Sequence, residues 1–138
     1  MTKETLEKCT SEARRLWLDG WYLLFSTDTE TCLRVCNGIG ADWMGAACKL
    51  LDWLLPTFVV ASAIHDIRYY LNVGERSKWD DEFALNCRVL LYDKYGFWHY
   101  RRWLGIIAIH QLRAALATFG EAAWKQAGKR FEEDNTDG

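Results

Sequence analysis

At 138 residues the chain is the size of one domain, enough to bury roughly two thirds of its unfolded surface. Hydrophobic residues make up 50 % and charged residues 26 %, an ordinary balance for a globular protein. The formal net charge of −2 argues against a broad electrostatic grip on nucleic acid. The N-terminus, Met1-Thr2-Lys3-Glu4-Thr5-Leu6-Glu7, lacks the apolar run of a secretory signal, so a cytoplasmic location is expected.

No segment alternates like a strand and only one proline interrupts the chain, so an all-α domain is predicted over residues 1–131. A first helix is expected from Thr2 to Phe25, where Leu16, Trp17, Gly20, Trp21, Leu24 and Phe25 fall three and four apart. Ser26 to Thr29 reads as a break, and Asp28 to Ala41 as a connection ending in the loop Asn37-Gly38-Ile39-Gly40-Ala41. A short helix is expected from Trp43 to Trp53. Pro56 suits the first turn of the next helix, which runs to about Leu71.

Asn72 to Arg76 then reverses the chain, and Ser77 with Asp80 resembles a capping box opening a helix from Lys78 to Tyr95. Gly96 ends it. A further helix follows from Trp98 to Thr118, and Gly120 separates it from a last amphipathic piece ending near Phe131. Glu132 to Gly138 reads as a disordered acidic tail. The most apolar window, Trp103 to Phe119, contains His110, Gln111 and Arg113, which marks a buried helix and not a membrane span. Most of the eight tryptophans are expected to fill the core. Cys9, Cys32, Cys36, Cys48 and Cys87 form an odd set without CxxC spacing, which predicts free, mostly buried thiols.

The chemistry concentrates in Ile64-His65-Asp66-Ile67-Arg68-Tyr69, followed after the turn by Asp80 and Phe83. Adjacent helical residues diverge by about 100°, so His65 and Asp66 serve different faces, while Tyr69 shares the face of His65. In an antiparallel hairpin Tyr69 and Asp80 fall at one level, with His65 about one turn (~5.4 Å) deeper. One carboxylate then reaches both the phenol and the imidazole. Such a set is either a catalytic or metal-binding site, or a structural network whose buried polar groups satisfy one another.

Other candidates are weaker. The Gly38/Gly40 loop alone is a turn, and it is no dinucleotide fingerprint, because no strand precedes it and the third glycine is missing. His99 and His110 have no third ligand at suitable spacing. Arg101 and Arg102 beside Trp98 and Trp103 read as a solvated helix start that a phosphate or lipid headgroup can also meet. A His-Asp phosphohydrolase is disfavoured because no histidine precedes His65.

A glycine loop, a His-Asp-x-x-Tyr helix and an aspartate on the returning helix together resemble the phospholipase A2 superfamily. The chain looks most similar to its small, disulfide-free phage and prophage versions, which also share segments resembling Asp80-x-x-Phe83 and Phe119-Gly120-Glu121-Ala122-Ala123-Trp124. The resemblance covers about Cys36 to Trp124. It implies a central antiparallel helix pair and ester hydrolysis with His65 as general base. It further implies Asp80 as the group orienting the imidazole, with Tyr69 hydrogen-bonded to Asp80. Calcium would be held by Asp66 and the backbone at Asn37, Gly38 and Gly40. Ala61, Ser62 and Arg68 stand where secreted members carry flanking cysteines. The implied partner is a phospholipid or membrane surface. An inactive relative would instead be a binding or virion-associated module contacting a protein.

Overall fold

The Thr2 hydroxyl accepts the Thr5 amide and opens α1 (Lys3–Arg15). The apolar spacing continues beyond Arg15, but the helix does not. Trp17 adopts left-handed backbone with φ 51°, and the Leu18 amide reaches back to the Ala13 carbonyl at 3.0 Å, closing the end as a glycine commonly does. The reason lies across the molecule. Buried Asn86 accepts the Asp19 amide at 2.9 Å and donates to the Asp19 carbonyl at 2.8 Å, fixing a reversal where a longer helix is expected.

Two short helices follow. Leu23 and Leu24 bury the face of α2 (Leu23–Ser26). Asp28 caps α3 (Thr29–Val35) by accepting the Thr31 amide, so a helix occupies half of the expected connection. The computed structural model describes residues 1–36 and 54–136. The glycine loop, the expected helix from Trp43 to Trp53, and Cys48 lie outside the described residues.

Phe58, Ala61, Ala63, Ile64 and Ile67 bury α4 (Leu55–Leu71) on nearly every side, and each of the other five described helices packs against it. Pro56 stands in its first turn and left-handed Asn72 ends it. Gly74 completes the reversal at φ 84°. α5 (Arg76–Lys94) begins two residues before the expected start, after Glu75. The expected capping box does not form, because Asp80 is wholly buried and turned toward α4. The antiparallel pair is pinned at both ends. Arg68 donates to Glu82 at 2.9 and 3.1 Å while lying 4.0 Å over the Trp79 ring, and Lys94 donates to Thr57 at 3.0 Å.

The last helix, α6 (Tyr100–Thr136), runs through Gly120 without a break and includes residues 132–136 of the expected tail. Its 37 residues span about 55 Å. Here glycine permits close packing inside the helix instead of ending it. A Cβ on Gly105 would stand 2.5 Å from Leu91 Cδ1, and one on Gly120 would stand 2.6 Å from Arg76 Nη1. The final turns are held because Asp134 accepts from Arg34 and from the Tyr70 hydroxyl, each at 2.7 Å, with Phe131 edge-on to Tyr70.

The fold class is therefore all-α, with no strand among the described residues. The tryptophans depart from expectation. None of the six described is a core residue; Trp17 is 74 % and Trp98 92 % exposed. Aliphatic side chains, Phe58, Phe83, Tyr95 and the four described cysteines fill the core, and those cysteines are free and buried. Trp103 to Phe119 buries only one face, through residues such as Gly105, Ala108 and Ile109.

Asp134→Ala should leave the central helix pair intact yet abolish amide-exchange protection over residues 129–136. Hydrogen exchange resolved by residue checks this; unchanged protection there would remove the anchoring role assigned to Asp134.

Candidate functional site

His65 and Tyr69 lie one turn apart on α4 and face α5, where Asp80 is the wholly buried residue opposite them. His65 Nε2 stands 2.9 Å from Asp80 Oδ1, and the Tyr69 hydroxyl donates to the same oxygen at 2.7 Å. Asp80 Oδ2 accepts from Arg76 at 3.0 Å, with Arg113 at 3.9 Å. The geometry read from the hairpin is thus present.

Charge follows from these contacts. Burial pushes the Asp80 pKa up, but hydrogen bonds from His65 and Tyr69 and the Arg76 charge outweigh it, and the net direction is down. An ionised carboxylate only accepts, so Nε2 must carry the proton that points at Asp80. In the neutral ring, Nδ1 is then the basic nitrogen. Nδ1 makes no hydrogen bond among the described residues. Burial and the Asp80 charge drive the Tyr69 pKa well above its usual range, so the phenol remains a donor.

The network has a second layer that the hairpin alone does not reveal. Gly120 brings α6 against the Tyr69 hydroxyl and the Arg76 guanidinium, with room for no side chain. Arg76 donates to the Leu116 carbonyl at 2.7 Å and approaches Glu121 at 3.3 Å. Trp124 meets Tyr69 edge-on at 5.2 Å, and Phe83 lies 5.0 Å from the His65 ring. Arg76 stands four residues before Asp80, a helical pairing that the spacing allows once Arg76 is placed in the helix and not in the turn.

Asp66 points elsewhere, as its position beside His65 requires. It lines a cavity of about 430 Å³ with Arg34, Tyr69, Tyr70, Arg130 and Asp134; His65 does not line it. Cys36 is buried with its thiol 3.5 Å from the Ala63 carbonyl, one turn before Asp66. Burial and the nearby Asp66 charge push that thiol far above its usual range.

Calcium takes six to eight oxygen ligands. The described residues offer the Asp66 carboxylate, and no group of three or more metal-ligating side chains occurs among them. Asn37, Gly38 and Gly40, the expected backbone ligands, lie outside the described residues. That donor set does not fit a calcium site on its own. No family model, curated protein or solved structure matches this chain.

Asp80→Ala should cost about 3–5 kcal/mol in urea unfolding, since it strands Arg76, Tyr69 and His65 around one cavity. The pH dependence has a definite sign. A depressed folded pKa gives stability that is complete above the ordinary carboxylate value of about 3.9 and is lost as pH falls through the folded value. Asp80→Asn should flatten this acid limb, and an unchanged limb would count against an ionised Asp80. Gly120→Ala should destabilise by about 1–3 kcal/mol despite alanine's better helix propensity, because its Cβ overpacks Tyr69 and Arg76. A stabilised variant in the same assay would refute that close approach.

Proposed function

We propose that the protein is a phospholipase A2-like carboxylic ester hydrolase with His65 as general base. The observation that supports this reading is the orientation of the imidazole. Asp80 holds Nε2–H, and Tyr69 and Arg76 hold Asp80, so the basic nitrogen is Nδ1. The arrangement has the orienting logic of a catalytic triad with water in place of a side-chain nucleophile.

In this mechanism Nδ1 removes a proton from water as the water oxygen attacks the ester carbonyl. The imidazolium is stabilised by the Asp80 carboxylate at 2.9 Å. Collapse of the tetrahedral intermediate expels the alkoxide, which takes the same proton from Nδ1. Tyr69 and Arg76 touch no reacting atom; they position Asp80. The resemblance to phospholipase A2 enzymes supplies the substrate class, a phospholipid ester, and no step here passes through a cation.

One observation favours a second reading, an inactive relative that uses the network as a brace. His65 is 8 % exposed and does not border the cavity at Asp66. The two readings part in one experiment. With phospholipid vesicles assayed in the presence and absence of calcium, the hydrolase should release fatty acid, and His65→Ala should lower the rate by about 10²–10⁴-fold. Absence of turnover by the folded wild type under both conditions would leave the brace.

A further inference from the structure

The corner between α5 and α6 exposes aromatic surface that neither the core nor the histidine site uses. Trp98 is 92 % exposed, and Phe97, Tyr100 and Trp103 are also exposed. These rings are ordered against one another. Phe97 meets Trp98 and Trp103 edge-on at 5.1 and 5.3 Å, and the Trp103 indole donates to the Phe97 carbonyl at 2.9 Å. Leu104 and Ile107 are also exposed on α6, and Leu85, Val89 and Tyr92 on α5.

Charge identifies what meets this surface. No acidic residue occurs between Asp93 and Glu121, while Lys94, Arg101, Arg102 and Arg113 fall within that stretch of a chain whose net charge is −2. Arg15, Arg34, Arg68, Arg76 and Arg113 all pair with carboxylates. Arg88 and Arg102 pair with none among the described residues, and the Nε of each is buried without an acceptor. Only Arg102 is seated on a ring of α5. Arg102 lies 3.8 Å over Tyr92, and Arg88 is one turn before Tyr92 on α5.

We propose that this corner docks on an anionic phospholipid bilayer, with Trp98, Tyr100 and Trp103 in the interfacial layer and Arg88 and Arg102 meeting lipid phosphates. Tryptophan and tyrosine suit that layer because each presents a large apolar body and a polar atom that remains hydrated. The attachment is peripheral, since no described helix is long and apolar enough to cross a membrane. Tyr92 lies twelve residues beyond Asp80, about 18 Å along α5, so docking and the histidine site are separable.

The test uses the full chain carrying His65→Ala, so that lipid is not consumed, and sediments it with vesicles. Expected is binding to phosphatidylcholine–phosphatidylglycerol vesicles that weakens with salt, and little binding to phosphatidylcholine alone. Arg88→Gln and Arg102→Gln should each weaken it about fivefold. Trp98→Ala, at a fully solvated position, should abolish it without changing the circular dichroism. Equal binding to both vesicle types, or none to either, overturns the proposal. Absent vesicle binding together with a concentration-dependent dimer lost in Trp98→Ala assigns the face to a second copy of the chain. Failure of hydrolysis by the wild type leaves the vesicle result unaffected.

Discussion

A single buried carboxylate organises the centre of this protein. Asp80 has no exposure to solvent, and such a charge is tolerated only when its oxygens are fully engaged. Oδ1 takes donors from two turns of α4, and Oδ2 takes Arg76 from its own helix. The α4–α5 pair can have no other register without exposing that charge to apolar surroundings. The same requirement orients His65, because an ionised acceptor leaves only one tautomer that satisfies the bond. Structural order and chemical readiness thus come from one set of contacts, which is why both the hydrolase and the brace readings begin at Asp80.

The long final helix completes that centre. Arg76 uses the Leu116 carbonyl as a further acceptor, and Gly120 lets α6 approach closely enough for this contact. Farther along, Trp124 covers Tyr69 while its carbonyl accepts from Asn72, the residue that ends α4. Asp134 then ties the last turns to Tyr70 and Arg34. One helix therefore closes over the hairpin at its reversal, its polar network and the cavity beside Asp66. Its opposite end exposes the aromatic corner. These two ends meet different surroundings, and the charge distribution along the helix reflects that difference.

Much of this was legible in the chain. Pro56, the reversal at Asn72 to Arg76 and Gly96 marked out α4 and α5 and set their antiparallel order. From those two facts the shared contact of Asp80 with Tyr69 and His65 followed. Arg76 was missed because it was placed in the turn, two residues before the expected start of the helix that it in fact opens. Gly120 was read as a break, since an isolated glycine carries no mark of whether it ends a helix or lets another side chain lie against it. Most of the tryptophans were expected in the core from composition, yet hydrophobicity alone does not say which apolar groups find a partner. The glycine loop, and with it the calcium assignment, lies outside the described residues.

The all-α class, the central hairpin and the meeting of His65, Tyr69 and Asp80 within it were determined by the sequence itself, because helical periodicity and turn chemistry are local properties. The tertiary structure decided where α1 ends, why α6 does not break, and which aromatic rings remain in water. Each of those outcomes depends on a group distant in the chain: Asn86 for the reversal at Asp19, and Tyr69 and Arg76 for Gly120. At the corner the deciding fact is that Trp98 is left 92 % exposed, with no neighbour among the described residues covering it. A local pattern records what a residue is able to bury; only the assembled helices determine what is available to cover it.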